Sequence, residues 1–396
     1  MNTHQPLTLL AGLSPAQFMR RYWQKKPLLV RSAIPGFSPF LDRNELFKLA
    51  ANEDVESRLI VKSSSGWRMK SGPFAARGLP SLKQANWTLL VQGVDGHHRP
   101  VHELLQQFRF VPDARLDDLM ISWAAPGGSV GPHFDSYDVF LFQASGRRRW
   151  KISAQKDLTL QQGVPLKILQ NFSPQEEFLL EAGDMLYLPP RYAHEGIAEA
   201  SVGRDGKAQE CMTYSIGFKA PVEQELAAEL LHRLAEFSEE AFEGSNSPQA
   251  KNLYRDAAQK ATSAPAQLPV KLLTFAQKAI QNAVKDPLAI GCALGEVVTS
   301  LKPHVWFEDT SPPLAAQRRG ALGIDLDAKT RMMYDDHHVF INGESYRAKG
   351  ADAVLMRVLA DQRRLSAKAI RKASQGALDL LADWQAAGWL HTSRES

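Results

Sequence analysis

At 396 residues the chain is too long for one ordinary hydrophobic core, so two or three domains are expected. Its 44% hydrophobic and 23% charged content is that of a soluble globular protein and excludes a disordered chain. The formal net charge of +4, taken over the whole chain, is too small and too diffuse to imply nucleic-acid binding. Two cysteines, Cys211 and Cys292, cannot build a disulfide framework and lack zinc-site spacing, so a reducing compartment fits. No long apolar segment opens the chain; neither a signal peptide nor a membrane span is expected, and a cytoplasmic location is the default.

The first predicted element is a helix over 14–23. Ser14 caps it, Pro15 takes the first helical position, and Phe18, Tyr22 and Trp23 fall on one side. Pro27 ends it, and Leu28-Leu29-Val30 starts a short strand. A second helix follows Asp42, with Leu46, Phe47 and Leu49 as its apolar face. From about 55 to 218, short apolar runs alternate with Gly, Pro and Ser, predicting strands at 59–61, 87–91, 119–123, 139–142, 150–152, 186–188 and 214–218. Many short strands with turns between them indicate a β-sandwich or barrel.

After Pro221 the period becomes helical, with segments at 223–242, 248–262, 269–285 and 287–300. Residues 303–319, with Pro312 and Pro313, read as a linker. Two strands at 331–334 and 339–341 meet the turn signal Asn342-Gly343, and helices follow at about 350–361, 366–373 and 375–387. That order suggests a winged helix. The expected architecture is α+β and multidomain: a β-rich domain over 1–220, a helical region over 221–302, then a linker and winged-helix-like domain over 303–396.

The chemistry concentrates in Gly131-Pro132-His133-Phe134-Asp135. On a strand, residues two apart share a face, so His133 and Asp135 would aim at a common point. His194, in Asp184-Met185-Leu186-Tyr187-Leu188-Pro189-Pro190-Arg191-Tyr192-Ala193-His194, is the best third ligand. Two histidines and one carboxylate on one face of a metal are the donor set of non-haem iron(II) oxygenases. A His-x-Asp pair alone is common by chance; the proline-stiffened segment before His194 makes the combination informative. His97-His98 and His337-His338 read as solvated loops.

The strand from Tyr137 to Gln143 meets a turn at Ala144-Ser145-Gly146, and Arg147 to Ile152 returns. Alternation puts Arg148 with Trp150 and Ile152 on an apolar face. A guanidinium there is costly unless a carboxylate pairs with it. The distal carboxylate of 2-oxoglutarate would be that partner, bound bidentately; an internal Arg–Asp or Arg–Glu bridge is the plainer alternative. Ser122, Thr213 and Ser215 could complete the co-substrate site. Tyr137 and Asp138, just past the metal motif, could line a peptide entrance, and an aspartate there could pair with a substrate guanidinium.

These residues carry a family resemblance. Tyr22-Trp23-Gln24-Lys25-Lys26-Pro27-Leu28, Asp118-Leu119-Met120-Ile121-Ser122, Pro126-Gly127-Gly128 running into Gly131-Pro132-His133, Gly146-Arg147-Arg148-Arg149-Trp150 and Leu188-Pro189-Pro190 before His194 resemble the JmjC-type ribosomal oxygenases. The match spans about residues 18–220. The resemblance implies a double-stranded β-helix (cupin-like), a helical dimerisation region and a C-terminal winged helix. It implies Fe(II) on His133, Asp135 and His194, 2-oxoglutarate on Arg148 with support from Ser122, and O2 as oxidant. It implies a homodimer that hydroxylates an arginine of a large-subunit ribosomal protein. The alternatives are a lysine demethylase, a hydroxylase of another residue such as histidine, a cupin enzyme that needs no oxo-acid, and a non-catalytic cupin-like binding protein. The tail mixes Arg357, Arg363, Arg364, Lys368, Arg371 and Lys372 with Asp352, Asp361, Asp379 and Asp383, so nucleic-acid contact by the C-terminal domain is not expected.

Overall fold

The computed structural model describes residues 2–202, 206, 208–243, 253–308 and 322–394. They form two compact units, Met1–Ala220 with Pro303–Trp306, and Pro221–Lys302 with Phe307–Ser396.

The first unit begins with helix α1 (Pro15–Arg21). Ser14 and Gln17 exchange a capping box, Ser14 Oγ accepting from Gln17 N at 3.2 Å and Gln17 Oε1 from Ser14 N at 2.9 Å. Strand β1 (Leu28–Val30) and helix α2 (Arg43–Ala50) follow, α2 with its own box from Asp42. Leu46 and Ala50 are its buried residues, while Phe47 and Leu49 are half-buried. Next come β2 (Ser57–Ser63), β3 (Gly66–Ser71), β4 (Trp87–Val91), helix α3 (Arg99–Gln106), β5 (Leu116–Ala124), β6 (Asp138–Ser145) and β7 (Arg147–Ser153). The unit closes with β8 (Glu176–Leu180), β9 (Met185–Leu188), β10 (Ala193–Glu199), the small pair β11 (Ser201–Val202) and β12 (Ala208–Gln209), and β13 (Cys211–Phe218). An eight-stranded antiparallel sheet has the order β1-β9-β6-β13-β5-β4-β2-β3, and a second sheet the order β10-β7-β8.

The two faces of the large sheet have separate tasks. Phe140, Phe142, Tyr187, Tyr214, Ile216 and Phe218 point outward into one core with Phe18 of α1, Leu46 of α2 and Val101 and Leu104 of α3. On the other face, Val139 and Leu141 of β6 and Leu186 and Leu188 of β9 meet Trp150, Ile152 and Leu180 of the small sheet. The sheets therefore enclose an apolar interior, as a cupin-like barrel requires.

The expected return strand does not pair with its predecessor. β7 lies between β8 and β10, while β6 lies between β9 and β13. Gly146 (φ 64°) carries the chain from one sheet to the other, and a Cβ there would stand 2.7 Å from the Glu210 carbonyl oxygen. Strands β3, β8 and β10 and helix α3 were not foreseen: Glu176-Glu177 and Ala193-His194-Glu195-Gly196 lack an apolar run, and α3 is only 8 residues long with no capping side chain to mark its start.

The second unit contains α4 (Glu223–Glu243), α5 (Val270–Ala283) and α6 (Pro287–Thr299), then β14 (Leu322–Leu326), β15 (Met332–Tyr334), β16 (His338–Ile341) and β17 (Glu344–Arg347). Helix α7 (Gly350–Gln362), β18 (Arg364–Leu365), α8 (Ala367–Ile370), α9 (Gln375–Ala386) and β19 (Leu390–Arg394) complete it. Its core is built on Ile324, Ile341, Leu359, Leu381, Trp384 and Leu390. The Asn342-Gly343 turn joins β16 to β17 with positive φ at both residues (50° and 90°). Of the helix expected over 248–262, residues 248–252 lie outside the described residues. Residues 253–262 form no helix, and Leu253 stays 73% exposed. A short segment that buries no apolar face lacks the packing that stabilises most helices. The expected linker over 303–319 lies outside the described residues from 309 onward. His338 is buried on β16 with Nδ1 3.3 Å from Asp335 Oδ2, and so is not the solvated residue the sequence suggested.

Candidate active site

His133 and Asp135 do not lie on a strand. Residues 131–137 form a loop ahead of β6, anchored by an isolated antiparallel bridge between His133 and His194. His133 N donates to His194 O at 2.9 Å, and His194 N donates to His133 O at 2.8 Å. This reciprocal pair, rather than strand periodicity, brings the two imidazoles together. Gly131 (φ 79°) lets the loop pass Trp67 and Ile168, whose atoms would stand 2.9 and 2.5 Å from any Cβ placed there. From the opposite side, Arg191 N donates to Asp135 O at 2.7 Å from the turn after Pro189-Pro190.

His133 Nε2 stands 3.9 Å from Asp135 Oδ1, and His194 Nε2 stands 3.6 Å from Asp135 Oδ2. Ligand atoms of the three side chains lie within 4.8 Å of one another, and among the described residues they are the group that could hold a metal ion. Each Nδ1 faces a carbonyl oxygen, His133 that of Gly131 at 2.9 Å and His194 that of Tyr192 at 2.8 Å. A ring nitrogen against a carbonyl must carry the proton, which leaves both Nε2 lone pairs turned toward Asp135. Burial, helped by the neighbouring His133, pushes the His194 pKa down to about 4, so the ring is neutral near pH 7. Two imidazole nitrogens and one carboxylate fit a divalent first-row metal ion.

Arg148 of β7 is 3% exposed on the interior face. It donates to Ser122 Oγ of β5 at 3.0 Å and to Thr213 Oγ1 of β13 at 3.1 Å. Among the described residues no carboxylate pairs with it, which removes the internal salt bridge as its explanation. Burial lowers its pKa, yet a guanidinium starts so high that it stays charged. Its Nε and the indole Nε1 of Trp150 are buried without hydrogen-bond partners. Trp150 stands between the two halves of the site, its ring 5.3 Å from the Arg148 guanidinium and 5.8 Å from the His194 ring. Gly196, opposite Trp150 in register, leaves the room for that ring: a Cβ would stand 2.7 Å from it. A buried, uncompensated cation with an orphaned N–H, one tryptophan away from a metal-ligand cluster, fits a dicarboxylate that reaches from metal to guanidinium.

Other sequence candidates divide. Ser122 and Thr213 touch Arg148, and Thr213 Oγ1 passes a hydrogen bond to Gln143 Oε1 at 3.0 Å. The bonds from Arg148 do not run to Ser215, which lies further along β13 opposite Leu141 and Met120. Tyr137 is 39% exposed at the end of the metal loop, where an incoming chain can reach it. Asp138 cannot serve as expected. It is 0% exposed on the outward face, takes hydrogen bonds from Tyr187 Oη (2.6 Å) and Gln24 Nε2 (3.0 Å), and pairs with Arg115 at 3.1 Å. Strand alternation from Phe140 back to Asp138 turns it away from the barrel interior, so its guanidinium partner is internal. Sequence reasoning placed Trp150 on the face of Arg148 without giving it a role, and it missed Gln143 and Gly196, although spacing by two from Leu141 and His194 could have marked them.

Residues 103–226 match the model of the JmjC domain family, and residues 284–391 match the ROXA-like winged helix. The cupin-like barrel and its site agree with the first of these matches, a JmjC domain over part of the chain, and the C-terminal part is similar to the ROXA-like winged helix. In particular the chain is similar to the ribosomal protein uL16 3-hydroxylase of Escherichia coli, 41% identical over 212 residues, 53% of each chain. It also resembles a probable ribosomal oxygenase of Haemophilus influenzae, 35% identical over 53% of this chain and 50% of the other. The chain thus spans about half the length of the curated relatives it matches. Among solved structures, the Escherichia coli ribosomal oxygenase YcfD in complex with cobalt and 2-oxoglutarate matches with TM-score 0.76 and 28% identity, over 96% of this chain and 98% of that one.

Proposed function

We propose that this protein is an Fe(II)- and 2-oxoglutarate-dependent protein hydroxylase acting on a ribosomal protein, with an arginine of a large-subunit protein as the target side chain. One observation carries the reading: among the described residues the buried Arg148 guanidinium has no carboxylate partner, and it stands one indole away from the His133, Asp135 and His194 cluster. The relatives named as ribosomal oxygenases and the neighbour solved with cobalt and 2-oxoglutarate support it.

Bound together, iron(II) and 2-oxoglutarate supply the oxidising chemistry that places one oxygen atom from O2 on a C–H bond, with release of succinate and carbon dioxide. The chain's own residues do the positioning. His133 and His194 present Nε2 because Gly131 and Tyr192 hold the protons on Nδ1. Asp135 gives the site its negative charge. Arg148, fixed by Ser122 and Thr213, holds the distal carboxylate, and Trp150 shields that pair from water. Tyr137 lines the approach of the substrate chain.

Mass spectrometry of ribosomal proteins and their peptides after incubation with Fe(II) and 2-oxoglutarate tests the proposal. It expects a gain of one oxygen on an arginine, coupled to succinate. Loss of a methyl group from lysine, or oxygen on histidine, would favour the chemistry named for relatives such as the bifunctional lysine-specific demethylase and histidyl-hydroxylase NO66 of Drosophila persimilis, 26% identical over 206 residues. We also propose that the second unit dimerises. Leu231 of α4, Leu273 and Ile280 of α5 and Leu288 of α6 remain 55%, 56%, 64% and 42% exposed, an apolar surface that a partner helix would cover.

A further inference from the structure

The formal charge of the whole chain hides a local concentration. Residues 57–86 contain Arg58, Lys62, Arg68, Lys70, Arg77 and Lys83 and no Asp or Glu, so this short span exceeds the +4 of the entire protein. It comprises β2, β3 and the loop that leads to β4. Lys62, Arg68, Lys70, Arg77 and Lys83 are all exposed, and among the described residues none pairs with a carboxylate. Arg58 alone reaches one, Glu56 at 3.6 Å.

Charges on an edge strand can serve to block unwanted pairing, and β3 is the edge of the large sheet. That role is satisfied by either sign and by one or two residues on the strand. It does not explain Arg77 and Lys83, which lie off the strand, or the exclusion of acids. The hairpin also carries an aromatic platform. The half-buried Trp67 lies opposite Lys62 in register, with Lys62 Nζ 5.0 Å from its ring, and the same indole borders Gly131 of the metal loop. The cationic surface therefore adjoins the active-site loop. It adds nothing to the capture of an arginine side chain, so its charge calls for an anionic partner. Unpaired cations interleaved with an indole suit a phosphate backbone and stacked bases better than carboxylates, which offer no ring.

We propose that the β2–β3 hairpin and the loop after it bind RNA beside the active site, so that the protein engages its substrate together with RNA. This rests on the hydroxylase reading for its biological sense, but its test does not require turnover. Anisotropy of a fluorescein-labelled single-stranded RNA of mixed sequence, titrated with the full chain, should show binding that weakens steeply with salt. The triple variant Lys62→Ala/Arg68→Ala/Lys70→Ala should bind about tenfold more weakly or worse at low salt, and its log–log salt slope should fall by about 2, at roughly 0.7 per lost phosphate contact. Turnover of a free peptide should be the same in both proteins. An unchanged affinity and slope in the triple variant would overturn the proposal. So would polyglutamate of equal charge displacing the RNA as well as unlabelled RNA does, which would point to an acidic protein partner. Binding to phosphatidylserine vesicles that is lost in the variant while RNA binding persists would overturn it in favour of a membrane. Should the wild type hydroxylate no peptide yet lose RNA with the triple substitution, the catalytic reading fails and this one stands.

Discussion

Replacing Arg148 with methionine separates a co-substrate anchor from a structural arginine, because the two roles predict opposite signs. Arg148 is 3% exposed, and its described partners are the hydroxyls of Ser122 and Thr213. Thr213 keeps its acceptor, Gln143 Oε1, without it. A buried cation with no counter-charge costs folding free energy, so Arg148→Met should leave the protein without co-substrate equally stable or more stable, by up to about 4 kcal/mol. With 2-oxoglutarate present the sign reverses. Removing one partner of a buried ion pair costs about 3–5 kcal/mol, and at about 1.4 kcal/mol per decade that weakens 2-oxoglutarate by two to three and a half orders of magnitude. Thermal unfolding followed by circular dichroism, with Mn(II) present and 2-oxoglutarate titrated, reads both quantities. The wild type should gain stability with the logarithm of 2-oxoglutarate concentration. The variant should start as high or higher and gain nothing over that range. A variant that melts several degrees lower without 2-oxoglutarate, yet gains as much as the wild type with it, would refute the reasoning.

Three further outcomes follow from the geometry. Gly196→Ala should force the Trp150 ring aside, cost about 1–3 kcal/mol of stability and raise the 2-oxoglutarate concentration needed for half-maximal turnover; unchanged values in both assays would mean the ring yields freely. Asp138→Ala should lower stability by about 3 kcal/mol, because it leaves Tyr187, Gln24 and Arg115 without their buried acceptor. Peptide KM measured below its melting range should stay at the wild-type value, whereas a selective rise in KM would restore Asp138 to the substrate. Leu273→Glu/Ile280→Glu should convert a dimer to a monomer in sedimentation velocity at micromolar concentration, and a monomeric wild type would remove the proposed dimer.

How much of this was legible in the sequence depended on which signal each feature leaves. Capped helices were readable, because Ser14 with Pro15 and Asp42 with Glu45 are local signals that depend on a few adjacent residues. The interior position of Arg148 was readable, since a period of two places it with Trp150 and Ile152. The nature of the metal loop was not. His133 and Asp135 converge through a bridge to His194, 61 residues distant, and no local periodicity records a contact of that range. Asp138 was misplaced because it was read from its proximity to the motif, which says nothing about which face a strand residue takes; alternation with Phe140, the signal that succeeded at Arg148, turns it outward. The whole-chain net charge likewise concealed the acid-free hairpin, since averaging over 396 residues erases a run of thirty.

The convergence of His133, Asp135 and His194 on a single ion is the claim on which the functional reading stands. Calorimetric titration of the wild type and Asp135→Ala with Mn(II), with anomalous diffraction from a Mn(II)-soaked wild-type crystal, tests it most directly. The account predicts a single ion per chain, its anomalous peak bounded by the two Nε2 atoms and the Asp135 carboxylate, and loss of that binding in the folded variant. A peak elsewhere, or equal affinity in Asp135→Ala, would contradict it.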